Sequence, residues 1–270
     1  MCLLINNKNI MKEFLKDIIN EAGKRSLKYY ANIDSLTIDK KSDKDLVSEA
    51  DKSIESFLVK AIKSRFPEHG IFGEETGEHK GNTYRWIIDP IDGTTSFLHH
   101  QPFYSISIAL EKNGTVILGA VNAPVLKELF IAELGKGAYC NDHPIHVSKR
   151  NLLINSVLGT GFACVRSDCQ HNNIPYFTAV LPLIRGIRRY GSAAIDLCYC
   201  ACARLDGFWE LNLKLYDIAA GKLIAQEAGA TVTNFKGNAN HNPDEIAVTN
   251  GLIHNELVNI LTNIQKNVIH

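Results

Sequence analysis

The sequence predicts an α+β fold. Two helical periodicities occupy its opening quarter, a set of short apolar runs separated by turn signals suggests an antiparallel sheet, and beyond about Arg150 strand and helix patterns alternate. At 270 residues, with 45% hydrophobic and 21% charged, the chain can bury a sizeable core, and its length fits either two subdomains or one large α/β unit. No internal repeat, low-complexity tract or Pro/Ser-rich linker separates the halves. Residues 1–147 and 148–270 are therefore expected as two subdomains sharing one interface and one site.

Ile10, Phe14, Ile18 and Ile19 recur at helical spacing between charged residues and predict an amphipathic helix over residues 9–30. From Asn32 to Asp45 a polar stretch holding Ile33, Leu36 and Ile38 suggests a short strand or loop that runs into the charged segment 40–45. Ser48-Glu49-Ala50-Asp51 offers cap-type residues for a second helix carrying Ile54, Leu58, Ala61 and Ile62, which Pro67 and Gly70 end. Ile71-Phe72-Gly73 and Trp86-Ile87-Ile88 read as buried strands stopping at carboxylates, Glu74-Glu75 and Asp89-Pro90. Strands are expected over 104–110, 116–121 and 129–132, with turns at Lys112-Asn113-Gly114 and Asn122-Ala123-Pro124. The second half reads as a strand over 156–160, a helix over 175–183, a strand over 186–190, a helix over 193–203, a helix through 217–228 and a final helix over 252–264.

The 29 basic and 29 acidic residues cancel, and no Lys/Arg-rich run supplies the basic excess that an anionic membrane or an extended nucleic-acid surface needs. Composition thus gives no support to nucleic-acid contact, although a locally basic pocket stays open. Seven cysteines, an odd number in a chain this long, fit a reducing compartment rather than a disulfide framework. Met1 to Ile5 is cut off by Asn6-Asn7-Lys8, too short for a secretory signal, and no run reaches a membrane span, so a cytoplasmic protein is expected. Cys198, Cys200 and Cys202 lack the spacing of a metal knuckle and read as packing residues.

The most informative segment is Trp86-Ile87-Ile88-Asp89-Pro90-Ile91-Asp92-Gly93-Thr94-Thr95. A hydrophobic strand delivers Asp89 to a sheet edge, Pro90 fixes φ and Gly93 relieves the turn, so that Asp92 can point to the same side. Two carboxylates in one small volume ask for a proton or a hard cation, and oxygen-only ligation favours Mg²⁺, with Mn²⁺ as a substitute. Asp92-Gly93-Thr94 alone also fits an Asx turn with a helix cap. Gly93-Thr94-Thr95 opens a helix whose free N–H groups and hydroxyl suit a phosphate, and Glu74-Glu75 offers the further carboxylates that a phosphoryl-transfer centre with two cations needs.

Together these segments resemble the inositol monophosphatase family of lithium-sensitive, magnesium-dependent phosphatases. The resemblance rests on Gly73-Glu74-Glu75, on the run from Asp89 to Phe97 and on the run from Trp209 to Gly221; weaker matches at 45–51 and 188–194 extend it over most of the chain. It implies a layered αβαβα sandwich, a homodimer and hydrolysis of inositol monophosphate or a related polyol or sugar phosphate by metal-activated water. Fructose 1,6-bisphosphate, histidinol phosphate and 3′-phosphoadenosine 5′-phosphate are the alternative substrates. Some bacterial members join the transcription machinery, which adds a non-enzymatic alternative.

Carried over residue by residue, the resemblance implies that Glu74, Asp89 and the Ile91 carbonyl hold a first Mg²⁺, and that Asp89, Asp92 and Asp217 hold a second, with Glu74 also near a third. Gly93 and Thr94 match the phosphate cradle, and Glu74, Thr94 and Asp51 the catalytic group that orients and deprotonates water. Asp92, Gly191, Ser192, Ala193 and Glu210 match the substrate side. Lys40 or Lys41 aligns with a flap lysine or belongs to a solvated charge run, and His99-His100, just past the phosphate loop, stands either near substrate or, as the commoner case, on the surface. The chain departs from the common pattern at Ser96, where Asn is frequent, and at Tyr216, where Trp usually precedes the aspartate.

Overall fold

The computed structural model describes residues 2–42, 45–239 and 243–268, and every count or absence below refers to these. Asp43 and Lys44 of the charged segment, and Met1 of the opening apolar run, lie outside them. Helix α1 (Cys2–Tyr30) starts earlier than the periodicity over 9–30 implies. A ribbon of β1 (Ile38–Ser42) and β2 (Asp45–Ser48) leads into α2 (Glu49–Arg65). Ser48 caps α2 in a capping box with Asp51, as its sequence indicates.

The first large sheet has eight strands. They are β3 (Gly70–Gly73), β4 (Gly77–His79), β5 (Tyr84–Asp92), β6 (Ser105–Lys112), β7 (Thr115–Ala123), β8 (Glu128–Glu133), β9 (Ala138–Cys140) and β10 (His143–Pro144), with the short helix α3 (Thr94–Leu98) between β5 and β6. Their order is β10-β9-β8-β7-β6-β5-β3-β4, antiparallel except for the β3–β5 pair. Two expectations are corrected: the turn expected at Asn122-Ala123-Pro124 starts only at Pro124, because β7 continues through Ala123, and β5 does not stop at Asp89-Pro90 but runs on to Asp92. The ladder opens there, since Asp89 faces Ser107 and Asp92 faces Ser105 with Pro90 and Ile91 unmatched, so proline's missing N–H removes no sheet bond.

The second sheet takes β11 (Val157–Thr160), followed by α4 (Ala163–Arg166) and α5 (Ile174–Val180), then β12 (Gly186–Arg188), α6 (Ala193–Ala201), β13 (Gly207–Leu211), α7 (Leu215–Glu227), β14 (Thr231–Thr233), β15 (Glu245–Thr249) and α8 (His254–Val268). Its order is β12-β11-β13-β15-β14. The helix expected over 175–183 is α-helical only to Val180 and tightens to 3₁₀ over Leu181–Leu183, where Pro182 cannot donate an α-helical bond. Strands β13, β14 and β15 were not among the expected elements. Two of its three inner strands, β13 and β15, are almost wholly buried, so neither shows the polar–apolar alternation that marks a half-exposed strand.

Alternation along the strands builds the layers. Trp86 and Ile88 of β5 point to Leu15, Ile19, Ile54 and Leu58 of α1 and α2, while Ile87 points to the opposite face, against α6 and α7. Phe208 of β13 closes that middle layer, and its neighbour Trp209 faces Tyr176 and Leu257 of α5 and α8. The result is α1/α2, sheet, α6/α7, sheet, α5/α8: the αβαβα sandwich. Burying Trp86 and Trp209 completely contributes about 2–3 kcal/mol each.

Candidate active site

Residues three apart on a regular strand point to opposite faces. The extra residue between Asp89 and Asp92 cancels that alternation and brings both carboxylates to one side of β5. Asp89 Oδ1 accepts the Ile91 N–H at 3.1 Å, which stabilises the bulge. Asp217 arrives from the first turn of α7, where its Oδ2 accepts the Lys214 N–H at 2.6 Å. One carboxylate oxygen from each of Asp89, Asp92 and Asp217 then lies within 4.8 Å of the others.

Glu74 follows β3 and lines the same cavity of about 340 Å³, together with Ile91, Gly93, Thr94, Gly191 and Tyr216. It stands outside the close group of three, but its charge is the strongest carboxylate influence on Asp89. Burial, then repulsion from Glu74, Asp92 and Asp217, holds the Asp89 carboxyl well above the ordinary range. Asp217 is raised well above it too, by burial and then by Asp92. Asp92 is raised by burial, against the lowering effect of its bonds from the Ser192 hydroxyl at 2.6 Å and the Ala194 N–H at 2.7 Å. Both of those bonds go to Oδ2. A cluster of buried and half-buried, mutually repelling oxygen donors without His or Cys fits a hard divalent cation such as Mg²⁺.

Gly93 caps α3 at φ 90°, a conformation natural to glycine. The Thr94 hydroxyl donates toward the Ile91 carbonyl at 3.1 Å, with Asp51 Oδ1 at 3.4 Å. Asp51 is fully buried, accepts the Ser48 N–H and hydroxyl, and is pushed up to about 6 by burial despite those bonds.

A smaller cavity adjoins the first through Asp92, Arg166, Gly191 and Asp217, and adds Ser192, Ala193, Asp196 and Glu210. Glu210, on β13, accepts the Ala163 N–H at 3.0 Å, and burial pushes its carboxyl up to about 7. Every residue assigned a metal, phosphate, catalytic or ring-side role therefore reaches one of these cavities except Asp51, which sits behind Thr94. Tyr216 lines the larger cavity, whereas Ser96 holds the Tyr190 carbonyl at 3.3 Å.

Lys40 and Lys41 stand on β1, and their side chains lie outside the described residues. His99 and His100 are exposed and line neither cavity; His100 Nε2 meets the Tyr30 carbonyl instead. Cys198 and Cys200 are buried and free within the middle layer, as packing residues. Sequence reasoning did not single out Arg166, Arg189 and Lys214 as cavity residues, nor Asn212, whose φ of 64° turns the chain between β13 and α7. No described helix is long and apolar enough to cross a membrane.

The model of the inositol monophosphatase family matches residues 8–267. An inositol-1-monophosphatase of Synechocystis sp. is 43% identical over 216 residues, covering 79% of this chain and 75% of the relative. The Nus factor SuhB of Vibrio cholerae is 40% identical over 223 residues, covering 82% and 84%. Among solved structures, the extragenic suppressor protein suhB from Bartonella henselae superposes with a TM-score of 0.89 at 36% identity, covering 94% of this chain and 98% of that one.

Proposed function

The chain belongs to the inositol monophosphatase family, and from that premise we propose that it is a Mg²⁺-dependent phosphomonoesterase hydrolysing inositol monophosphate or a related polyol or sugar phosphate. The observation that carries the reading is the convergence of Asp89, Asp92 and Asp217 beside the Gly93-Thr94 turn. Glu74, Asp89, the Ile91 carbonyl, Asp92 and Asp217 would hold the cations. When bound, Mg²⁺ supplies charge that offsets the phosphate dianion and acidifies water.

The remaining roles fall to the chain itself. Thr94 and the amides after Gly93 seat the phosphate. The Thr94 hydroxyl, whose own proton points toward the Ile91 carbonyl and Asp51, offers a lone pair that accepts a hydrogen bond from the attacking water and orients it, while Glu74 takes the water's other proton. Glu210 and the Gly191-Ser192-Ala193 segment line the side on which the ring of a polyol would sit. The halves 1–147 and 148–270 act as one catalytic unit, and homodimeric assembly in the cytoplasm belongs to the same reading.

The test is phosphate release with Mg²⁺ across inositol 1-phosphate, fructose 1,6-bisphosphate, histidinol phosphate and 3′-phosphoadenosine 5′-phosphate. Turnover of the nucleotide with negligible inositol 1-phosphate hydrolysis would reject the first choice of substrate. The relative named a Nus factor supports a second reading, a binding role in transcription. Asp89→Asn separates the two: hydrolysis should vanish with folding intact, and a cellular phenotype that survived the change would put the binding role first.

A further inference from the structure

Glu55 lies one helical turn after Asp51 on α2 and is completely buried. It has no counterpart among the residues assigned above, yet its carboxylate spans the turn that carries Glu74. Oε2 accepts the Glu75 N–H at 2.9 Å and Oε1 accepts the Thr76 N–H at 2.7 Å. The Glu74 N–H in turn bonds the Ile88 carbonyl at 3.2 Å, next to Asp89. Three successive amides are thus fixed, one to β5 and two to Glu55. Gly73 leaves the room, because a Cβ there would overlap Glu55 Oε1 and stand 2.7 Å from its Cδ.

We propose that Glu55 is a positioning residue: it sets the 73–76 turn so that the Glu74 side chain enters the acidic cavity at the height of Asp89. Since Asp51 meets Thr94 from the same helix, α2 fixes the distance between the two groups that flank the reacting water. This rests on the phosphatase reading above. A carboxylate is required because both partners are donors; glutamine offers one oxygen and turns an NH₂ toward the second N–H, while aspartate falls one methylene short.

The test measures Mg²⁺ binding by calorimetry with the metal alone, Mg²⁺ dependence of turnover, and metal-free melting. Glu55→Gln should weaken Mg²⁺ binding and raise the half-saturating Mg²⁺ concentration by about tenfold, the order expected for a residue supporting a metal ligand. KM for the ester at saturating Mg²⁺ should change less than twofold. Gly73→Ala should reproduce the weakened Mg²⁺ binding in the parent but cost far less in a Glu55→Ala background, where the one close neighbour left to the new Cβ is the rotatable Thr76 hydroxyl at 2.8 Å. Wild-type Mg²⁺ binding in a folded Glu55→Gln protein, or additive effects in the double variant, would overturn the proposal. Calorimetry reads the result even if the ester screen finds no turnover, so the two readings fail separately.

Discussion

Asp92 Oδ2 accepts the Ser192 hydroxyl at 2.6 Å, a bond between residues 100 positions apart. The same hydroxyl oxygen accepts the Ile195 N–H at 3.2 Å and so caps α6. One side chain therefore fixes a helix end and orients a carboxylate that lines the cavity. Ser192→Ala should lower unfolding free energy by about 1 kcal/mol through the lost cap. It should also weaken Mg²⁺ binding by about tenfold through the lost restraint on Asp92. Denaturant titration and calorimetry measure the two effects, and unchanged Mg²⁺ affinity would show that Asp92 needs no such guide.

Gly93 sits at φ 90°, and a Cβ there would stand 3.0 Å from both the Gly191 and the Phe103 carbonyl oxygens. Gly93→Ala therefore adds left-handed strain of about 1–2 kcal/mol to a contact with two backbone atoms that cannot rotate away. The turn must shift, and with it the amides to which the phosphate seat is assigned above. Inorganic phosphate binding in the presence of Mg²⁺ should fall at least tenfold. Retained affinity in a well-folded variant would remove this turn from the phosphate site.

Asp89, Asp92 and Gly93 were legible in the sequence because a strand, a proline and a glycine stand in one continuous run, where local geometry does most of the work. The order of the layers followed from the family resemblance. Three other features depend on partners that no local window contains. The bulge that aligns Asp89 with Asp92 arises from pairing with Ser105 and Ser107. Strands β13 and β15 carry no alternation because helices cover both faces of their sheet. Arg166 and Lys214 reach the cavity only through the placement of α4 and of the β13–α7 turn, and Glu55 gave no sign beyond its place on α2.

Gly161 lies against Glu210, and a Cβ there would overlap its carboxylate. Gly161→Ala should therefore push Glu210 away from its bond with the Ala163 N–H without touching the acidic cluster. KM for inositol 1-phosphate should rise about tenfold, the loss of one charge-assisted hydrogen bond. A phosphate ester without ring hydroxyls, such as p-nitrophenyl phosphate, should be hydrolysed with nearly unchanged constants. An equal loss on both esters would mean that Glu210 supports the site as a whole rather than the ring.

The pH dependence of Mg²⁺ stabilisation has a definite sign. Asp89, Asp92 and Asp217 all have folded-state values raised above 3.8, and Asp51 is raised to about 6. Without metal, the folded protein holds more protons at these groups than the unfolded chain, so their contribution to stability falls as pH rises through that range. For Asp51 alone this is about 3 kcal/mol between the acid and neutral limits. Buried His69 and His254 act in the opposite direction, since both are lowered by burial and must charge on unfolding in acid. These histidines are common to the metal-free and metal-bound forms, so the difference between the two forms isolates the carboxylates. On the proposed reading Mg²⁺ binds their ionised state and must displace protons at low pH. The rise in melting temperature on adding Mg²⁺ should therefore be small at pH 5 and grow toward pH 8, with proton release detectable by calorimetry in buffers of different ionisation enthalpy. Asp217→Asn should flatten the trend, and a gain that was constant or larger at pH 5 would place Mg²⁺ away from this cluster.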